Sequence, residues 1–509
     1  MIRWSALVGF ALLIPARAAA QDSTTHSPAA DRTVSLSLTE ALRQARANSP
    51  AYRQVLNDAS PAKWGVRNAY GSLLPSVVAS SDFGYTSSGQ SNLGGGFTLA
   101  TSSFLTSGYS LGLQWQLSGR SLQAPAQQRA LQRATDEDIG AAGVDLTAEI
   151  STQYLTSLQT GAQTGVARQQ VRRNEDFLAL AQARHKVGQT TLLDVRQAQV
   201  TKGTSDVALL RAVQAENEAK LDLLRRMGVE PPVPVEQIVL SDSFPVTPPA
   251  FQLDSLLSLS DRQNPLLRSL RAREHAAGLD VRAAKTDYLP SLSVRAGWSG
   301  FTQQLTNEDL LVAQTLSSAQ EKAAECEYNN SVRTALSLGG QTANCLSVFG
   351  LTPNGTALLD PFAQQIRNQN SVFPFSYTGQ PFGANLTISL PIFTGFSRSL
   401  RLSQARAQEG DVEEEVRARR LQVRTDVHSR YLALQTSYQA IGVQGTSRDA
   451  ARDQLRLAQD RYRVGAGTAL EVSDAQAAVQ QAEGDYVNAV YDYHKAITAL
   501  EAAVGRPLR

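Results

Sequence analysis

The chain has 509 residues, of which 42% are hydrophobic, and its formal net charge is +2. Two arginines and no acids lie in the first twenty residues, so the remainder is formally neutral, which gives no support for nucleic-acid binding. After those residues there is no apolar run of about eighteen residues, so no transmembrane helix is expected. The five histidines are scattered, and no P-loop or HExxH motif occurs, so we expect no metal site, no cofactor and no enzymatic activity.

Residues 1–20 have the pattern of a secretory signal peptide. Arg3 gives a basic start, Ala6–Ile14 is apolar, and small alanines precede Gln21. No cysteine follows this predicted cleavage site, so a lipid anchor there is not expected. Export also favours a disulfide between the only two cysteines, Cys326 and Cys345, because exported thiols usually oxidise. Two free thiols are the alternative.

The rest of the chain reads as two structural repeats, over residues 21–250 and 251–509. Pro50–Pro75 (PAYRQ…SLLPS) matches Pro265–Pro290 (PLLRS…DYLPS), and each match predicts a helix that ends near its second proline. Residues 229–250 are rich in proline, which predicts a non-helical strap between the repeats. The second repeat also contains a long polar insertion, residues 301–382, which we expect to be an extracellular loop.

Each repeat contains two segments in which apolar and polar residues alternate. The segments are Val77–Tyr85, Tyr109–Leu117, Leu292–Trp298 and Leu386–Ile392. Their length and pattern predict membrane-spanning β-strands, with a soluble two-faced sheet as the alternative. Four strands cannot close a barrel, because the smallest barrels have about eight, and open edges in lipid leave backbone groups unpaired. We therefore expect several copies of the chain to share one barrel.

A long helical hairpin is predicted to follow each pair of strands. Arg184–Gln199 (RHKVGQTTLLDVRQAQ) recurs as Arg461–Gln476 (RYRVGAGTALEVSDAQ). Basic residues followed by Gly mark the end of one helix. A threonine with an acid three residues later has the spacing of a capping box at the start of the next helix. The two hairpin tips are thus expected near residues 188 and 465.

These features together resemble the TolC-like outer-membrane efflux protein family, also called outer membrane factors. The resemblance rests on the signal peptide, the duplicated halves, the VG pair at both tips and the segment LPIFTG at Leu390–Gly395. It implies a mainly α fold with a small β membrane barrel: four transmembrane strands per protomer, long hairpins that form a periplasmic α-barrel, and a homotrimer. It further implies a passive exit duct in the bacterial outer membrane that extends into the periplasm.

The resemblance also implies partners: outer-membrane lipid, a periplasmic adaptor protein and an inner-membrane transporter, in a tripartite efflux or type I secretion system. The adaptor and the pump are expected to open the duct at its tips. The sequence does not specify the cargo, which is a drug, a metal or a protein. The alternative is a trimeric surface-exposed coiled-coil adhesin or another structural protein of the outer membrane.

The resemblance assigns roles to residues at the tips. It implies that Tyr462 links to Asp194 to hold the periplasmic gate shut, and that Glu471 and Asp474 form acidic rings in the pore. Gly467 stands where some members have a latching arginine. The residues implied in adaptor docking are Val187, Gly188, Thr190, Thr191, Leu192, Val464, Gly465, Thr468 and Leu470. As alternatives, Asp194 and Glu471 are only helix caps, Asp474 is a solvated charge and Tyr462 is a packing residue.

Overall fold

The computed structural model describes residues 33–92, 98–340 and 342–508, so the predicted signal peptide lies outside the described residues. The chain is mainly helical. It divides into two compact units. The first unit contains the described residues up to Gln54, then Ala142–Ser260 and the described residues from Val423 onwards. The second unit contains Val55–Ala141 and Asp261–Gln422. Each unit contains segments from both predicted repeats, so the repeats are not two separate bodies.

The helices of the described chain are α1 Leu38–Asn48, α2 Pro50–Asn57, α3 Ala59–Gly71, α4 Gly119–Lys186, α5 Leu192–Met227, α6 Leu253–Gln263, α7 Pro265–Thr286, α8 Glu308–Ala335, α9 Cys345–Val348, α10 Asp360–Asn370, α11 Ser397–Arg463 and α12 Ala469–Val504. The strands are β1 Val34–Leu36, β2 Ser76–Thr86, β3 Gly89–Asn92, β4 Thr98–Thr101, β5 Phe104–Leu117, β6 Ile238–Leu240, β7 Ser291–Leu305, β8 Thr378–Gly379 and β9 Gly383–Ser389. None of these helices is long and apolar enough to cross a membrane.

In the first unit, the part of α4 from Ala142 forms one hairpin with α5, and the part of α11 from Val423 forms the other with α12. A core away from the tips joins α4, α5 and α1 to a short parallel pair, β1 with β6. The hydroxyl of Tyr154 donates a buried hydrogen bond of 2.8 Å to the carbonyl of Leu36. Residues 229–250, predicted to be a non-helical strap, contain β6 and one 3₁₀ turn, Val235–Gln237.

The second unit contains an antiparallel sheet in the order β2, β5, β7, with β8 and β9 both paired to β7. Its register places apolar side chains in rows on one face. Each row consists of register partners on neighbouring strands. The first row is Leu117, Leu292 and Ile388, and the second is Trp115, Val294 and Leu386. The third is Val77, Leu113, Ala296 and Ala384, and the fourth is Ala79, Leu111 and Trp298. Strands thus occur in all four predicted segments, and we call the face that carries these rows the apolar face.

Three local predictions about this unit are wrong. A single helix over Pro50–Leu73 is interrupted at Asp58, because Pro61 lacks an N–H and its ring would clash with the carbonyl of Asn57. The connector between β2 and β5 is rich in Ser and Gly, which predicts a flexible loop, but it contains the antiparallel pair β3 and β4. The last strand ends at Ser389 rather than Ile392, since Pro391 has no N–H to donate to a ladder.

The insertion at residues 301–382 is also more ordered than a polar loop. β7 extends to Leu305, and α8, α9 and α10 then pack around a core that includes Ala319, Ala323, Leu351 and Leu358. Cys326 on α8 and Cys345 at the start of α9 form a disulfide with a Cα–Cα distance of 5.7 Å. We call residues 306–371 the inserted module.

Candidate functional site

Both hairpin tips turn through the same backbone motif. Gly188 (φ +73°) and Gly465 (φ +81°) adopt the left-handed conformation that glycine tolerates. The next residue of each turn donates back to an arginine carbonyl, Gln189 to Arg184 and Ala466 to Arg461, both at 2.9 Å. These are Schellman turns, so the sequence prediction of where each helix ends is confirmed.

The two following helices are capped differently. Thr191 and Asp194 form the complete reciprocal capping box, with the Thr191 N–H donating to the carboxylate at 3.0 Å. At the second tip, the hydroxyl of Thr468 accepts from the N–H of Glu471, but the reciprocal bond is missing. The carboxylate of Glu471 lies 3.7 Å from the guanidinium of Arg461 instead. The second predicted box is therefore only half formed, because the glutamate takes another partner.

One apolar core holds the two tips together. It contains residues from the ends of α4 and α11 and from the starts of α5 and α12: Phe177, Ala181, Val195, Ala198, Ala451, Leu455, Ala458, Tyr462, Ala469, Val472, Ala475 and Val479. Six of these residues are alanines, and small side chains let the helices approach closely. A movement that separates the hairpins must therefore expose this core.

Tyr462 belongs to that core and is only 3% exposed. Its ring packs against Phe177, with centroids 5.3 Å apart. Its hydroxyl is buried and has no hydrogen-bond partner among the described residues. The predicted link between Tyr462 and Asp194 is thus not formed in this single chain, and the gate roles of the two residues stay predictions.

Arg184 is the residue that sequence reasoning missed. It comes from the first hairpin and places its guanidinium 4.7 Å from the centre of the Tyr462 ring on the second. One Nη also donates to the carbonyl of Tyr462. Its counterpart Arg461, at the same place in the repeated motif, stays within its own tip and donates to Ala466 at 3.3 Å. The repeat alone gave no signal of this difference, because it makes the two arginines equivalent.

Hydrogen bonds hold the pKa of the Asp194 carboxyl below its ordinary value of 3.8. The largest cause is the bond from the Thr190 hydroxyl, and the Thr191 N–H and hydroxyl add to it. The positive charge of Arg184 contributes last. Asp194 is therefore ionised at neutral pH and already has partners within its own tip.

The two other predicted gate acids are exposed. Within the described chain, the carboxylate of Glu471 contacts only the guanidinium of Arg461, at 3.7 Å. Asp474, one turn further along α12, forms no hydrogen bond or ion pair with any residue that the structure describes. Gly467 has a structural reason to lack a side chain, because a Cβ there would lie 3.1 Å from the backbone nitrogen of Tyr462. The latching arginine of some family members is thus replaced by glycine at a turn with little space for a side chain.

Apolar side chains project from the outside of both turns. Val187 and Val464 are 68% and 78% exposed, and Leu192 and Leu470 are more than half exposed. Leu193, which the prediction of docking residues omitted, is 73% exposed. Exposed apolar residues at a turn are typical of a contact surface for another protein.

A second contact between the hairpins lies further from the tips. The carboxylate of Glu483 on α12 is 6% exposed and accepts from Arg173 on α4 at 3.1 Å and from Arg452 on α11 at 2.8 Å. We call these three residues the Glu483 triad. One buried acid thus joins three helices, and helix periodicity in the sequence gives no sign of the pairing.

Comparison with known proteins identifies the family. The model of the outer membrane efflux protein family matches residues 41–229 and 362–506, which include both hairpins. The chain belongs to this family. It is an outer-membrane efflux channel protein that extends into the periplasm. A search of curated proteins gave no significant match.

Solved structures share the fold at low sequence identity. A membrane protein from Pseudomonas aeruginosa is 19% identical with a TM-score of 0.65, over 92% of this chain and 90% of that one. The outer membrane protein VceC from Vibrio cholerae is 16% identical with a TM-score of 0.64, over 93% and 97%. The MtrE outer membrane channel of Neisseria gonorrhoeae, in its open state, is 17% identical with a TM-score of 0.62, over 97% and 96%.

Proposed function

We propose that three copies of this chain form the passive exit duct of a tripartite efflux or type I secretion system. The observation that carries the proposal is the sheet of the second unit. Its apolar face suits lipid, while β2 and β9 each have an unpaired edge among the described residues. Unpaired backbone groups in lipid cost several kcal/mol each, roughly, so further copies must pair with these edges and close a barrel.

The hairpin tips are the proposed periplasmic gate. The shared core and the contact of Arg184 with Tyr462 favour a closed arrangement of the two hairpins. Glu471 and Asp474 are exposed and are free to line the opening when copies meet around an axis. Repeated acids around an axis attract cations. Asp194 serves first as the cap of α5 in this proposal, and a bond from Tyr462 would form only after Tyr462 leaves the core.

The outside of the two turns is the proposed docking surface for the adaptor. Val187, Leu192, Val464 and Leu470 supply exposed apolar area there. Gly188, Thr190, Thr191, Gly465 and Thr468 shape the turns that present those side chains. Contacts of an adaptor with this surface would bind more tightly to separated hairpins, which is how binding shifts a closed duct towards the open state.

Photo-crosslinking in cells tests this function. A photo-reactive amino acid at Thr190 or Thr468 should capture a periplasmic adaptor, identified by mass spectrometry. The same amino acid at Tyr328, an exposed aromatic residue of α8, is the matched control and should not capture the adaptor. Equal capture from all three positions, or capture from Tyr328 alone, would contradict the proposed docking at the tips.

The adhesin alternative predicts the opposite exposure in intact cells. An adhesin presents its helical hairpins outside the cell, so external protease would cleave near Gly188 and Gly465. The duct predicts that both tips are protected and that cleavage is confined to the insertion. Native mass spectrometry of the detergent-purified protein should give the mass of a trimer. The cargo follows from the pump and is not assigned by these residues.

A further inference from the structure

The segment Val372–Phe382 (VFPFSYTGQPF) connects the inserted module to β9, and its composition differs from that of the module. Its eleven residues include four aromatics and no charged side chain. α8, in contrast, carries acids along its length. We call this segment the aromatic strap.

The aromatic strap crosses the apolar face of the sheet. Phe375 lies edge-on to Phe83 of β2, with ring centroids 6.5 Å apart. Tyr377 lies 4.9 Å from Tyr109 of β5, and Phe382 lies 4.8 Å from Trp298 of β7. All three sheet residues belong to the apolar face by register, so the strap runs across three neighbouring strands.

The aromatic strap lies where the side chains of the apolar face change from entirely apolar rows to rows that include polar residues. The rows from Leu117 to Leu111 are entirely apolar, whereas the rows beyond Tyr109 include Ser107, Thr302 and Gln304. From Leu117 to Tyr109, where Tyr377 of the strap contacts the sheet, β5 measures about 27 Å at about 3.4 Å per residue. With a strand tilt of about 40° this gives a height of about 20 Å, close to the apolar band of about 25 Å in membrane barrels.

Polar contacts hold the strap at this level. The hydroxyl of Ser107, which is buried, donates to the carbonyl of Pro374, and the N–H of Phe373 donates to the side chain of Gln304 at 2.9 Å. Just before the strap, Asn370 bonds both the N–H and the carbonyl of Leu305, at 2.9 and 2.8 Å. The strap is thus fastened to the polar rows and extends its rings towards the apolar ones.

Two of its rings remain largely exposed after these contacts, Phe375 at 72% and Phe382 at 53%. Tyr85, at the end of β2, is 65% exposed at the same end of the sheet. Exposed aromatic rings, no charge and the upper limit of an apolar band together fit the headgroup level of a membrane, where aromatic side chains are favoured.

We propose that the aromatic strap binds the lipid surface of the outer leaflet and holds the inserted module against the outside of the barrel wall. This rests on the proposed function, since it requires the sheet to span the outer membrane with its helices on the periplasmic side. The strap then forms part of the aromatic girdle, and the charged surface of α8 stays above the headgroups. The module consequently lies beside the pore mouth rather than across it.

Fluorescence quenching by brominated lipids tests the proposal. The chain without its predicted signal peptide, and therefore without Trp4, has Trp64, Trp115 and Trp298 replaced by Phe. It is reconstituted in phosphatidylcholine vesicles brominated either near the headgroup or near the end of the acyl chain. Single tryptophans are then introduced as Phe375→Trp or Phe382→Trp. Both should lose about half of their fluorescence with the shallow bromines and much less with the deep ones, as expected at an interface.

Two further variants separate this inference from the proposed function. Val77→Trp, in an apolar row of β2, should be quenched most by the deep bromines. Tyr328→Trp, on α8, should be quenched by neither lipid. If Val77→Trp is not quenched, the sheet does not face lipid and the proposed function fails.

If Val77→Trp is quenched but neither strap variant is, the strap faces water, protein or a second copy, and the present inference is overturned. Deep quenching of both strap variants would also overturn it, because the strap would then lie within the acyl chains. Two strap positions are used so that one misfolded variant, detected by loss of the trimer, does not decide the result.

Discussion

Replacement of Arg184 by Gln should make the duct open more readily. Arg184→Gln removes the only cation that the first hairpin places over the Tyr462 ring among the described residues. It also weakens the bond to the Tyr462 carbonyl, which retains its turn bond from the N–H of Gly465 at 3.1 Å. The apolar core of the tips is left intact, so the perturbation is confined to the contact across the hairpins.

The expected magnitude follows from these two interactions. A charged hydrogen bond contributes about 1.5–3 kcal/mol, and a cation–π contact contributes about 0.5–2 kcal/mol. The Nε of Arg184, however, is buried without a hydrogen-bond partner in the described chain. Its desolvation therefore reduces the stabilisation that these two interactions give to the closed state. A net effect of about 2 kcal/mol on the closed state corresponds to about thirtyfold in the opening equilibrium.

Single-channel recording in planar bilayers measures this change as the fraction of time in the high-conductance state. Arg461→Gln is the matched control, because Arg461 occupies the equivalent position of the second tip. Its contact with Glu471 is 3.7 Å long between exposed side chains, so its loss should change the equilibrium by about twofold or less.

Two results would contradict a role of Arg184 in closing the duct. One is an Arg184→Gln channel that stays closed as long as the unmodified protein does. The other is an equal increase in opening for both arginine variants, since that would mean that general loss of positive charge at the tips, and not the contact with Tyr462, governs opening. Helix content and trimer mass should be unchanged in both variants.

Three further changes give separate expectations. Asp194→Ala should destabilise the start of α5 by about 1 kcal/mol, as loss of a capping box does. Because the folded pKa of Asp194 is lowered, its contribution is complete above its ordinary value of 3.8 and is lost as the pH falls through the folded value, so wild type and variant should converge in acid. Glu483→Gln should lower stability by about 2 kcal/mol, because it leaves Arg173 poorly compensated. Cys326→Ser with Cys345→Ser should lower the stability of the inserted module by about 3 kcal/mol, since the bridge spans 19 residues, without changing conductance.

Thermal unfolding monitored by circular dichroism at several pH values checks the first two variants, and limited proteolysis checks the third. Glu414→Gln is the control for Glu483→Gln, because the Glu414–Arg417 pair is 72% exposed on both sides and should contribute little. An equal loss of stability in those two variants would contradict the role given to the Glu483 triad. A pH-independent effect of Asp194→Ala would contradict the charge-based account of the cap.

Features that depend on local backbone chemistry were predictable from the sequence. The left-handed glycines at 188 and 465 and the threonine caps at 191 and 468 follow from residue type and spacing alone. The strands of the sheet were predictable in the same way. Successive side chains point to opposite faces, so a sheet with one apolar face has apolar and polar residues in alternation. Pro61 belongs with these features, because a proline four residues after Asn57 predicts the break at the end of α2.

Features that depend on side chains from distant segments were not predictable. Arg184 and Arg461 are equivalent in the repeated motif, and only the packing of the two hairpins decides that one reaches across. Glu483 meets Arg173 and Arg452 for the same reason. The inserted module looked like a polar loop because its small core is built from scattered alanines and leucines, which give a weak periodic signal.

Ion selectivity is the property that most directly shows whether the chain forms a passive pore gated at its tips. The measurement is the reversal potential of the purified trimer across a salt gradient in a planar bilayer, before and after Glu471→Gln with Asp474→Asn. We expect a cation-selective pore that loses most of its selectivity in the double variant, because the exposed acids line the opening in the proposed gate. A pore with unchanged selectivity in the double variant would contradict the placement of the gate, and a trimer without conductance would contradict the duct itself.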